Sequence, residues 1–163
     1  MIPGLLITLA LLSQVPQEAR ILTALEFSAY AWGHDPALLK GLAYVESTMQ
    51  ANPPRHGRNG KRWGDGPGRA RWRYCGLMQT RHYPGVTAGP DSVPFPPGEL
   101  LVAFPELSAW YGAIHLAGWR SWCGRRLQFE AYNKGWKGCR GETEGTFTKA
   151  VKRAARRLAR EGR

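Results

Sequence analysis

Glu46 stands beside Val45 and one turn beyond Leu42, in a stretch where Leu38, Leu42, Val45 and Met49 recur at helical spacing. A carboxyl held against apolar neighbours resists ionisation. It can stay a proton donor near neutral pH, as protonation of a bridging oxygen requires. The plainer alternative is a solvated residue at a helix end. Ser47 follows directly, but no His/Asp relay is identifiable to activate it as a nucleophile. His34, His56, His82 and His115 have no metal-ligand spacing, and no Cys pair with nearby His supplies a zinc framework. The chemistry expected is therefore one without metal or cofactor. His115, in an apolar helical stretch, reads as a satisfied core histidine.

The elements that must position these residues are mostly helical. Pro16 suits a first helical turn, Glu18 complements the helix dipole, and Ile21, Leu22, Leu25, Ser28 and Ala29 fall on one stripe that ends near Gly33. Asp35-Pro36 is a capping residue followed by proline at the first helical position, predicting a second helix from 36 to about 50. Residues 52–74 carry Pro53-Pro54, five glycines and seven basic side chains against one acid, Asp65, and cannot bury a core. Such a segment predicts a binding surface or a small β-hairpin. Residues 84–97 form a second Pro/Gly-rich connector, and helices are expected over 100–119 and 126–133. Residues 148–160 set Val151, Ala154, Ala155 and Leu158 on one face and Lys152, Arg153, Arg156, Arg157 and Arg160 on the other, predicting a cationic amphipathic helix.

The 163 residues suit one domain, and 23 Lys+Arg against 12 Asp+Glu give a net charge of +11 that should attract polyanions. The apolar start, residues 1–15, is too short for the ~20 residues of a spanning helix. It reads as a signal-peptide core, a membrane-associating segment or a helix packed on the domain. Cys123 and Cys139 can form one bridge in an oxidising compartment, leaving Cys75 free, although sequence does not fix the pairing.

Three segments read together carry a resemblance: Tyr44-Val45-Glu46-Ser47, Cys75-Gly76-Leu77-Met78-Gln79 and Glu130-Ala131-Tyr132-Asn133-Lys134-Gly135. They resemble, in order, the Glu-Ser, Gly-Leu-Met-Gln and Ala-Tyr-Asn motifs of soluble-type lytic transglycosylases and the related goose-type lysozymes, over roughly residues 17–136. The resemblance implies a mainly α, α+β lysozyme-like fold. It would comprise a single helical domain, residues 16–147, with a groove for peptidoglycan glycan strands, followed by the basic helix 148–163. It implies Glu46 as catalytic acid, Tyr132 as the residue orienting it, and Ser47, Gly76, Met78, Gln79 and Asn133 along the groove. A glycine at position 76 would let backbone approach a sugar closely. Leu77 reads as core, and Ser47 and Asn133 could equally hold neighbouring backbone. The chain departs from the pattern in its longer insertion between Glu46 and Gly76, in Lys134, and in Thr80-Arg81 where an acid often follows.

Within the insertion, Trp63-Gly64-Asp65 is similar to a goose-type segment whose aspartate helps position water; the turn Gly64-Asp65-Gly66 is the structural alternative. Without that water, Glu46 would work alone and close a 1,6-anhydro ring, the transglycosylase outcome. With it, hydrolysis would invert the anomeric centre, needing carboxyls ~6.5–9.5 Å apart. Trp63, Trp72, Trp110, Trp119, Trp122 and Trp136 could each stack on a sugar face; those inside helices are more often core, which makes Trp63 and Trp72, on the loop, the better sugar contacts. The partners expected are peptidoglycan strands, with anionic wall polymers or a membrane surface for the basic helix, and the chain is expected to be a monomer. The substrate implies a periplasmic, extracellular or phage-associated setting. A noncatalytic wall-binding or nucleic-acid-binding module is the rival class; no nucleic-acid recognition motif supports the latter.

Overall fold

Helices dominate the computed structural model, which describes residues 15–50, 73–82, 87–88, 93–94 and 98–163. Helix α1 (Gln17–Ala31) buries Ile21, Leu25, Ser28 and Ala29, the expected stripe, while Leu22 packs partly buried against it. Helix α2 (Pro36–Ser47) starts where the sequence places it. The Asp35 carboxylate accepts the Ala37 and Leu38 N–H groups at 2.8 and 3.3 Å, and Pro36 occupies the first turn, where a missing N–H is harmless. The helix stops at Ser47, earlier than expected, because Thr48 and Met49 turn into left-handed backbone at φ 54° and 66°.

A hairpin pairs β1 (Arg73–Cys75) with β2 (Thr80–His82), and a second short ladder joins β3 (Thr87–Ala88) to β4 (Val93–Pro94). This hairpin turns over Gly76 to Gln79; the one expected within the 52–74 insertion falls on residues that, up to 72, lie outside the described part. Helix α3 (Gly98–Ala103) leads through Phe104 into α4 (Pro105–Lys134). The two helices expected over 100–119 and 126–133 are instead nearly one. The long helix kinks at Gly124, whose φ of 73° and ψ of 165° suit a residue without a Cβ. One turn, α5 (Trp136–Cys139), follows, and a Cys123–Cys139 disulfide with Cα atoms 5.1 Å apart ties it to the kink.

Helix α6 (Thr146–Arg160) closes the chain and is integral to the domain rather than appended to it. Its Val151 and Leu158 share one apolar core with Leu39 and Leu42 of α2 and with Leu77, Met78, Ala113 and Phe129. At Gly41 a Cβ would overlap the Val151 carbonyl oxygen, so the two backbones touch. The start of α6 is held by Glu130 of α4. That carboxyl is 3% exposed and accepts the Thr148 N–H at 2.8 Å, where helix geometry leaves donors unpaired. Among the described residues no helix is long and apolar enough to cross a membrane, and residues 1–14 lie outside them.

Candidate active site

The turn Gly76-Leu77-Met78-Gln79 is driven into the core, with Leu77 and Met78 fully buried. A buried peptide unit must find partners other than water. Helix α4 supplies both for Met78: its N–H donates to Ser108 Oγ at 3.1 Å, and its carbonyl accepts the Tyr132 hydroxyl at 2.8 Å. Because Ser108 and Tyr132 lie on opposite sides of the Gly124 kink, the two arms of α4 grip one turn from two directions.

Tyr132 also feels the charge of Glu46. Burial drives the phenol far above its ordinary pKa, the Glu46 carboxylate adds to the rise, and the Thr80 hydroxyl offsets part of it. Glu46 itself is half-buried in the last turn of α2. The tyrosine thus bonds a turn 54 positions before it and feels the charge of a glutamate 32 positions before that turn. Backbone strain gathers in the same place. Among the described residues, the non-glycine residues with positive φ are Thr48 and Met49, two and three positions after Glu46, and Gln79 at 47°. Such conformations cost ~1–2 kcal/mol each for L-residues and cluster at functional sites.

Other expected contacts take different forms. The Ser47 hydroxyl donates to the Ala43 carbonyl at 2.9 Å and is buried, so it serves the helix. Met78 is core against Gly112, where a Cβ would overlap its side chain, rather than groove lining. Gly76, at φ 68°, is required for a different reason from close sugar approach: a Cβ there would overlap the Leu101 carbonyl and the Ser108 hydroxyl. Gln79 is half-buried and its Nε2 donates to the Gly76 carbonyl at 2.9 Å; Asn133 is half-buried next to Tyr132. Asp65, Trp63 and Trp72 lie outside the described residues.

Of Trp110, Trp119, Trp122 and Trp136, the two outside the helices expected over 100–119 and 126–133 are the exposed ones. Trp122 and Trp136 are 55% and 57% exposed, whereas Trp119 is buried and Trp110 half-buried. His115 is half-buried, not core: its Nε2 accepts the Trp119 indole N–H at 3.1 Å, and its ring meets Tyr132 edge-on at 5.2 Å. The sequence signal for this face was present in His115, Trp119 and Trp122 at i, i+4 and i+7.

A separate cleft of about 740 Å³ opens between the α1–α2 turn, the kink of α4 and the start of α6. Its walls include His34, Arg120, Arg126, Glu130 and Lys149, but not Glu46 or Tyr132. There His34 Nε2 bonds the Ala113 carbonyl at 2.9 Å, while Arg120 donates to the Trp32 carbonyl at 2.8 Å and faces His34 Nδ1 at 3.4 Å. Burial lowers the His34 pKa, the Ala113 bond resists that shift, and Arg120 adds to it. Among the described residues no group of three or more His, Cys, Asp or Glu side chains is placed to hold a metal. No protein-family model, curated protein or solved structure matches the chain.

Proposed function

We propose that the chain is a peptidoglycan lytic transglycosylase that cleaves the β-1,4 bond between N-acetylmuramic acid and N-acetylglucosamine, with Glu46 as general acid and then base. The observation that carries this reading is the convergence of three sequence-distant motifs. Tyr132 donates to Met78 of the Gly-Leu-Met-Gln turn, and its phenol feels the Glu46 carboxylate. Glu46 gives its proton to the glycosidic oxygen as the bond to C1 breaks. It then takes the proton of the muramic C6 hydroxyl as that oxygen bonds C1, closing a 1,6-anhydro ring with no water consumed. Tyr132, neutral over the working range, orients the carboxyl without competing for the proton. The disulfide fits an oxidising location, outside the cytoplasm.

Hydrolysis by an inverting muramidase, with Asp65 activating water, is the second reading, and its motif support is the Trp63-Gly64-Asp65 segment. Mass spectrometry of muropeptides released from purified sacculi separates the two: anhydro ends support the transglycosylase, and reducing ends, one water heavier, support the muramidase. Release of neither by the wild-type chain, with sacculi still bound, would replace both by a noncatalytic wall-binding module.

A further inference from the structure

Helix α4 carries His115, Trp119 and Trp122 on one face, and the chain beyond its kink returns Tyr132 and Trp136, again four residues apart. The two sets meet. His115 packs on Tyr132 at 5.2 Å and on Trp119 at 5.9 Å, and Trp119 sits edge-on to both Trp122 at 5.4 Å and Trp136 at 5.5 Å. Trp122 and Trp136 lie nearly parallel, 25° apart with centroids at 5.9 Å, and each leaves more than half its surface in water. Exposed paired indoles forgo burial free energy, and a contiguous exposed apolar patch commonly marks a binding surface. The Cys123–Cys139 bridge fixes the pair, since it joins the residue after Trp122 to the turn that begins with Trp136.

We propose that Trp122 and Trp136 form a carbohydrate-binding platform, continuous through Trp119 and His115 with the Tyr132–Glu46 site, on which pyranose rings of the glycan strand stack. The identity of the strand rests on the function proposed above. Three observations choose a sugar polymer as occupant. The aromatic chain runs without a gap from Tyr132, whose phenol feels Glu46, to the exposed pair. The pair is flanked in sequence by the exposed cations Arg125, Arg126, Lys134 and Lys137, which complement the carboxylates of muramic acid and its peptides and repel the same face of a second copy. No exposed large aliphatic side chain stands near the pair in sequence, as insertion into lipid would favour; the exposed Val15 and Leu100 belong to other elements. Stacking suits the substrate, because a pyranose offers an apolar C–H face to an indole while its hydroxyls stay hydrated.

The test uses the full chain carrying Glu46→Gln, to suppress turnover, titrated with chitohexaose by intrinsic fluorescence and calorimetry. This probe is neutral, so it isolates stacking from charge. Trp122→Ala and Trp136→Ala should each weaken binding about tenfold, as expected for loss of one aromatic contact. Far-UV circular dichroism should stay unchanged, since both rings are exposed. Reduction with a phosphine should weaken binding in the wild-type background and have little effect once both tryptophans are gone. Wild-type affinity in both variants would overturn the platform, and wild-type affinity after reduction would overturn the clamp. A concentration-dependent dimer abolished by these substitutions, or loss of anionic-vesicle binding with chitohexaose binding intact, would equally overturn it. Muropeptide release by the otherwise wild-type chain is read in parallel. Failure of the platform with release intact leaves the proposed function standing, whereas a chain that neither binds nor cleaves glycan defeats both.

Discussion

Replacing Tyr132 with Phe deletes one oxygen and keeps the ring, so its consequences can be assigned to the hydroxyl. In the folded protein that hydroxyl satisfies the Met78 carbonyl at 2.8 Å, in a turn whose Leu77 and Met78 are fully buried. With the donor gone, the carbonyl has lost its tyrosine partner in a site water reaches poorly. The cost of such an unsatisfied acceptor is about 1–3 kcal/mol. With a urea m-value of about 1–3 kcal/mol/M, the unfolding midpoint should fall by roughly 1 M. A pH arm tests the same oxygen. An unfolded tyrosine ionises near pH ~10, while the folded phenol is held neutral beyond that. Above that pH the folded state binds more protons than the unfolded state, so stability falls as pH rises, and Tyr132→Phe should flatten that part of the curve. On the proposed function, in which Tyr132 orients Glu46, muropeptide release should also drop. Unchanged midpoint, alkaline slope and release in the variant would refute the claim that this hydroxyl joins the turn to the site.

Glu46→Gln should abolish muropeptide release while leaving the unfolding free energy from urea titration within about 0.5 kcal/mol of wild type, as for a substitution of a partly exposed side chain; undiminished release would remove Glu46 from the mechanism. His34 has a folded pKa below its ordinary value, so the unfolded state takes up more protons just below pH ~6.5 and stability should decline on acidification through that range. His34→Gln should flatten that acid slope in urea titrations at successive pH values. Gly41→Ala should destabilise by more than about 2 kcal/mol, because the added methyl meets the α6 backbone rather than a movable side chain. A calorimetric melting temperature equal to wild type would contradict that packing.

The helices were legible because their signals are local. Asp35-Pro36 marks the start of α2, the Ile21–Ala29 stripe marks the buried face of α1, and the split of apolar and basic residues marks α6. What could not be read was tertiary. The end of α2 depends on Thr48 and Met49 adopting left-handed backbone, for which neither is a favoured residue type. The kink that keeps α4 nearly continuous through Gly124 is stabilised by its surroundings, among them the disulfide at Cys123. Trp122 and Trp136 fell outside the helices legible in the sequence, and their residue type alone does not separate a sugar contact from core. At the site, the types and order of Glu46, Met78 and Tyr132 were visible, whereas Ser108 was not. A serine within a helical stretch carries no mark of the distant N–H it will accept.

The same geometry explains why strain is tolerated beside Glu46. Left-handed Thr48, Met49 and Gln79 together cost on the order of 3–6 kcal/mol if each is worth ~1–2. That is a large share of the ~5–15 kcal/mol by which domains are stable. They persist because the adjoining segments are held independently. Met78 is fixed at both its N–H and its carbonyl, and Ser47 and Met49 are buried on either side of Thr48. Relaxing the exit of α2 would require withdrawing Met49 from the core it shares with Leu77, Met78 and Tyr132. The helix that carries the proposed acid therefore exits into the same packed core as the tyrosine that anchors the opposite turn.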